Sequence, residues 1–269
     1  MKTVRYFVLA IIATFSLASC DEDELQLNDS EQQLIDNFIE AEEVSSRLYN
    51  LADLLLRDEN IQAGDTTIYQ QALAFVNDNG DIIVDFAQGV YGDDGILREG
   101  IILIQTSGDY LAKSGTLTID LENFTEGGRE LDGNIVIGSF ADSVGMAVQS
   151  LKIDTTTSFN SSKGIRWVSG FGTLNDETDD RYQLSGSSDL SSMQGSISAQ
   201  VDPQEYLTYD RSCEFGMVSG IFTIILQSDS TDIGGSIDFR LNDGCDNIAE
   251  VSVEKDGTSV TSVRQFNGF

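Results

Sequence analysis

The chain has 269 residues, of which 45 are Asp or Glu and 15 are Lys or Arg, for a formal charge of -30. That balance excludes nucleic acid as a partner, since such binding depends on neutralising phosphates with Lys and Arg, and excludes a peripheral basic patch on anionic lipid. There is no histidine, which removes the usual general base, the Ser-His-Asp triad and the commonest zinc ligand together.

Residues 1–19 read as an export signal. Lys2 and Arg5 form a basic start, Tyr6 to Leu17 a short apolar core, and Leu17-Ala18-Ser19-Cys20 matches a lipobox. The apolar run is about a dozen residues, whereas a spanning helix needs about 20, so it is a signal and not a transmembrane anchor. Small residues let the peptidase take the extended chain before Cys20, and the Cys20 thiol accepts the lipid. The alternative is an ordinary cysteine at the tail of a plain signal peptide. Acyl chains contribute about 0.8 kcal/mol per buried CH₂, so a lipidated Cys20 holds the protein on a membrane.

Residues 20–29 read as an acidic tether. Asp21-Glu22-Asp23-Glu24 follow the cysteine directly, a run compatible with a solvated linker. The run also resembles the acidic export signal of surface lipoproteins of the Bacteroidota. On that resemblance the expected address is the outer face of the outer membrane, ahead of its periplasmic face.

Residues 30–57 carry the one strong helical signal. Ser30 with Gln33 forms a capping-box pattern. Leu34, Phe38, Ala41, Val44, Leu48, Leu51 and Leu55 recur at spacings of three and four, making one apolar stripe. Glu40, Glu42, Glu43, Arg47 and Asp53 fall off the stripe and are expected to face water. The stripe then has to bury itself against the sheet that follows.

Residues 65–269 read as a single large β domain. Leu73 to Val76 and Ile82 to Phe86 flank Asn77-Asp78-Asn79-Gly80-Asp81, a hairpin signal. Pro203 is the only proline, so little interrupts strand pairing. Aromatic and β-branched residues alternate with Thr, Ser and Asp, as in antiparallel sheet with one wet face. A weak repeat starts at Ser114-Gly115, Ser169-Gly170 and Ser219-Gly220. Each copy is followed by a returning strand opened by glycine, at Gly133, Gly186 and Gly235, where a bulge or tight bend is expected.

Once Cys20 is lipidated, Cys213 and Cys245 remain as an even pair. In an oxidising compartment they read as a disulfide stapling strand-like segments of the last sheet; two buried free thiols are the alternative. Asp-rich turns offer Ca²⁺ candidates at Asp78, Asp81, Asp176, Asp179 and Asp180, and at Asn242 to Gly244 with Asp246. Calcium takes six to eight oxygens, but Asp and Asn equally dominate ordinary turns. Asp65-Thr66-Thr67, Asp142-Ser143-Val144, Asp154-Thr155-Thr156 and Asp229-Ser230-Thr231 resemble the short O-glycosylation signal of the Bacteroidota. Trp167, Tyr182, Tyr206 and Phe222 could stack on sugars or enclose acyl chains, or simply fill a core.

Several phrases resemble a group of uncharacterised Bacteroidota surface lipoproteins. They are Asp94-Gly95-Ile96-Leu97-Arg98-Glu99-Gly100 before a strand, the glycine-led segment from Gly115 to Phe124, and Arg166-Trp167 leading to Gly170. The closing phrase is Cys213, Ser219-Gly220 and Gly244-Cys245-Asp246-Asn247-Ile248-Ala249. The chain departs from the pattern at Arg240 to Asp243, where a glycine-rich approach to the second cysteine is expected. The resemblance covers roughly residues 90 to 255. It implies the lipoprotein class, the β architecture and the cysteine pairing, and brings no activity with it.

The expected architecture is mainly β, an antiparallel β-sandwich or open β-barrel of hairpins, preceded by one amphipathic helix. The expected function is a membrane-anchored, non-catalytic lipoprotein with a binding or scaffold role toward a protein, glycan or lipid, without a resident cofactor. A carrier of an apolar ligand in a half-open barrel is the first alternative. A carboxylate-based glycoside hydrolase, needing two carboxylates in one cleft, is the second.

Overall fold

The computed structural model describes residues 27–266 except 111, 113, 141, 142, 171, 172, 174, 175, 214, 215, 229, 230, 241–244 and 256. The export signal, Cys20 and most of the tether lie outside the described residues.

Helix α1 spans Asp29–Arg57. It starts one residue before the expected segment because the cap is Asn28, not Ser30. Asn28 Oδ1 accepts from Glu31 N at 2.9 Å, and the Glu31 carboxylate accepts from Asn28 N at 2.8 Å. Two orphan donors of the first turn are satisfied this way. Asp58 ends α1 and caps the one-turn helix α2 (Glu59–Gln62) through bonds to Asn60 N and Ile61 N.

The strands follow as a meander. β1 (Thr67–Tyr69), β2 (Ala72–Val76), β3 (Ile82–Asp85) and β4 (Val90–Tyr91) are short. β5 (Leu97–Asp109), β6 (Ser114–Glu126), β7 (Arg129–Phe140), β8 (Ser143–Ile153), β9 (Thr157–Ser169) and β10 (Arg181–Ser192) are long. β11 (Gly195–Val201) and β12 (Leu207–Asp210) pair successively along β10. β13 (Met217–Ser219) pairs with β12, and β14 (Ile221–Ser228) with β11. β15 (Thr231–Asp238), β16 (Ile248–Lys255) and β17 (Thr258–Gln265) complete the order. All pairings are antiparallel and form one open sheet that does not close on itself. The 77–81 turn joins β2 to β3 with Val76 opposite Ile82.

Two of the three repeats form hairpins, β6–β7 and β14–β15. The middle one does not: Ser169 ends β9, and Gly170 turns the chain away at φ +84°. Register shifts run through β5 to β8 at one level, at Glu99/Ile101, Asp120/Phe124, Asp132/Asn134 and, against β9, Val148/Leu151. Such a line of bulges bends a sheet. Gly133 sits on it at φ +135°, where a Cβ would lie 2.8 Å from Leu151 Cα; only glycine permits that approach.

The bent sheet curls around α1, and this overturns the expected wet face of the helix. Glu42, Glu43 and Asp53 are buried along with the whole apolar stripe. Pairing partners of α1 come from many strands: Glu126 of β6 for Arg47, Arg129 of β7 for Glu40, Lys163 of β9 for Glu42, Lys255 of β16 for Glu31 and Arg264 of β17 for Asp36. A helix packed on one side of a sheet would keep one face in water. Here every residue of α1 from Asn37 to Arg57 is buried or half-buried, so its carboxylates need countercharges from the sheet.

Candidate functional site

Cys213 and Cys245 form a disulfide, with Cα atoms 5.1 Å apart. Neither lies in a strand, contrary to expectation. Cys213 is in the turn after β12, where its N–H donates to Asp210 O at 3.0 Å, and Cys245 is in the bend before β16. Side chains of paired strands alternate between faces, whereas these connections leave both thiols at one end of the sheet. The bond therefore ties two loops rather than stapling two strands.

The Asp-rich turns are occupied by turn chemistry. Asn77 Oδ1 accepts from Asn79 N and Asp81 N, and Asn77 Nδ2 donates to Asp81 Oδ2 at 3.2 Å; Asp78 is exposed. Asp176 accepts from the Thr178 hydroxyl and N–H, which hold its carboxyl below the ordinary range. Asp179 accepts from the Thr173 hydroxyl. Asp180 is not a surface ligand at all: it is fully buried, and accepts from Arg57 at 2.8 Å, Trp167 Nε1 at 2.9 Å and Tyr182 Oη at 3.0 Å. Those three donors take the lone pairs a cation would use. Asn175 and Asn242 to Gly244 lie outside the described residues. Among the described residues no group of three His, Cys, Asp or Glu side chains is placed to hold a metal.

The four aromatic candidates do not converge. Tyr182 and Phe222 are core residues, Trp167 packs on Tyr182 with ring centroids 5.0 Å apart, and Tyr206 stands separately at the surface. Of the glycosylation-like triplets, Thr66 and Thr155 are exposed, while Asp142, Asp229 and Ser230 lie outside the described residues.

Two buried charge clusters join α1 to the sheet. In the first, Lys163 Nζ donates to Glu42 Oε1 at 2.8 Å and to Ser188 Oγ at 2.7 Å, over the Phe222 ring at 4.5 Å. Burial pushes the Lys163 amine down, against the pull of Glu42. A hydroxyl beside a lysine is the raw material of a Ser-Lys nucleophile. Ser188 is only 1% exposed and Lys163 3%, so no substrate reaches them.

In the second cluster, Asp53 and Asp180 converge on Arg57 at 2.9 and 2.8 Å, and Arg211 meets Asp53 at 2.9 Å. Burial raises the Asp53 carboxyl, opposed by Arg211 and Arg57. This carboxylate pair is committed to guanidinium groups, an arrangement unlike the open cleft of a hydrolase. The crevice beside it, lined by Ser46, Tyr49, Asn50, Tyr182 and Tyr209, holds about 20 Å³. That is room for about one water.

At the rim, Arg98 holds Asp94 at 2.7 Å and Glu126 at 3.2 Å. Partial burial acts to raise the Asp94 carboxyl, but its hydrogen bonds from Arg98 and Ile96 N prevail and it lies below its ordinary value. The folded value is below the unfolded one, so the contribution is present above about pH 3.9 and fades as pH falls through the folded value. Urea midpoints taken from pH 5 down to 2 should therefore fall less steeply for Asp94→Asn than for the native chain. Identical slopes would show that the pair carries no such linkage.

The sheet's outer face is mostly Ser, Thr, Asn and Asp; exposed apolar residues such as Ile225 and Val263 stand singly, but over β1, β2, β3 and β5 they adjoin. Opposed residues there share a face, and the register gives two outward rows. One row runs Ile68–Leu73–Asp85–Ile101–Glu122, the other Phe75–Ile83–Leu103–Asp120. Six apolar side chains thus lie side by side in water-facing positions. Ile68 is 63% and Leu73 44% exposed, and the other four are half-buried. Their inward neighbours Ala74, Val84, Ile102 and Ile104 fill the core. The sequence carried a signal for this, the unbroken runs Ile82-Ile83-Val84 and Ile101-Ile102-Leu103-Ile104. They depart from period two and put apolar residues on both faces.

Fold and surface together define a class: an open antiparallel sheet curled around a buried helix and apolar on one outer patch. Comparison with family models, curated proteins and solved structures finds no match for this chain.

Proposed function

We propose that this chain is a membrane-anchored, extracytoplasmic lipoprotein whose β domain is a non-catalytic binding module. The observation that carries binding is the outward apolar patch. Buried apolar surface is worth about 25 cal/mol per Å², and soluble proteins leave such area contiguous and exposed mainly where something covers it. Anchoring rests on the lipobox ending at Cys20, and the Cys213–Cys245 bond fits an oxidising compartment. Helix α1 is about 43 Å long at ~1.5 Å per residue. In the chain it separates the tether from β1 and the strands of the patch.

The carrier and hydrolase readings gain no support from the interior. The space beneath the curled sheet that a carried ligand would take is occupied by α1. The buried carboxylates are neutralised in place.

The anchoring is tested by labelling cells with an alkyne-bearing fatty acid and comparing the native chain with Cys20→Ser. Label and membrane fractionation should appear in the first and vanish in the second, with the β domain still folded. Cleavage by protease added to intact cells tests the outer-face address. An unlabelled native chain, or a Cys20→Ser domain that unfolds, would overturn the separation of anchor from fold.

A further inference from the structure

Resting on that binding reading, we propose that the outward patch on β1, β2, β3 and β5 docks a different protein, one presenting an apolar surface bordered by Lys and Arg. The border of the patch decides the partner. Asp85, Asp120 and Glu122 are the only charged residues in the two rows, and no basic residue interrupts them. Asp85 lies between Leu73 and Ile101, so any occupant that covers the apolar side chains also covers this carboxylate. One of its oxygens accepts from Ala87 N at 2.7 Å; that leaves a full negative charge whose desolvation calls for a cation.

The alternatives meet the same border with the wrong sign. A second copy related by a twofold axis brings the same acidic rows against themselves, and each copy already carries a large negative charge. A bilayer rich in anionic headgroups is repelled by Asp85, Asp120 and Glu122 in the same way. A surface with an apolar centre and a basic rim satisfies both halves of the patch. It also gains long-range attraction to an acidic chain, which speeds encounter and makes it sensitive to salt.

The test is photo-cross-linking of the full chain in its own host, with a benzophenone amino acid at Leu73 and, as control, at Ser198. Ser198 is exposed on the outer face of β11, remote from the patch along the sheet. The expected result is an adduct from position 73 and none from 198. The adduct joins a different protein through a peptide containing Lys or Arg. Its yield falls by roughly tenfold or more in the Asp120→Lys/Glu122→Lys variant, since like-charge contacts replace attractive ones at the rim. Those two side chains are at the surface, and retained circular dichroism verifies that this variant still folds.

An adduct at twice the chain mass containing only this sequence, or an adduct to lipid, overturns the partner class but leaves a binding surface standing. An adduct whose yield ignores the charge reversal overturns the basic rim. Equal adducts from both positions, or none from position 73, overturn the proposal and the binding reading with it.

Discussion

Lys163→Met alone, or Glu42→Leu alone, is expected to cost about 3–5 kcal/mol, whereas the double variant recovers most of that loss. Each single change leaves an uncompensated charge or unfilled acceptors in a low-dielectric core, the expensive way to break a buried pair. The double change replaces a pair by two apolar side chains of similar length, beside Phe222 and within reach of Phe38. Ser188 and Ser161 keep each other as partners at 3.1 Å. Urea unfolding with an unchanged m-value would measure the cycle. Additive single and double losses would mean that Glu42 and Lys163 do not meet, and that α1 is not enclosed as described. The pair's physical role is then registry: a helix with apolar residues on several faces can rotate or slide in an apolar trough, and a charge that must find one lysine removes that freedom.

Removing the disulfide with Cys213→Ser/Cys245→Ser is expected to cost roughly 3–4 kcal/mol. The two cysteines are 32 residues apart, and the chain-entropy estimate for a loop of that length falls in this range. The bond constrains β13, β14 and β15, which lie between the cysteines. Amide exchange should therefore quicken there more than in β5 to β8. A loss below about 1 kcal/mol, or uniform acceleration across the sheet, would show that the loops it ties are already held by pairing to their neighbours.

Much of the fold was legible because its signals are local. The helix showed itself by the three–four spacing from Leu34 to Leu55, and the β2–β3 hairpin by its Asn-Gly turn. The cap shifted from Ser30 to Asn28 because both Ser30–Gln33 and Asn28–Glu31 satisfy the same pattern, and only the charged Glu31 also meets Lys255 across the fold. The repeat at Ser169-Gly170 failed for a related reason: a glycine that can open a strand can equally end one.

The site was less legible. Asp180 reads as one more acidic turn residue until Arg57, 123 positions away, is brought to it. Glu42 and Asp53 read as solvated because a helical stripe reports only which face is apolar, not whether the other face is covered. The outer patch lay in view as two unbroken apolar runs. Its meaning required the register that puts Ile83 beside Leu103 and Leu73 beside Ile68.

By itself the sequence determined what depends on near neighbours and composition: an amphipathic helix ahead of the sheet, antiparallel hairpins, and an acidic chain without histidine chemistry. The tertiary structure alone decided that the sheet bends along a line of bulges and encloses the helix. Bending depends on four strands shifting register at one level, a coincidence across more than fifty residues that no short window contains. Once the sheet closes over both faces of α1, burial turns its carboxylates from solubilising groups into partners of particular basic residues. The same curvature makes one face of β1, β2, β3 and β5 the inside of the molecule and leaves the other as a surface to be covered.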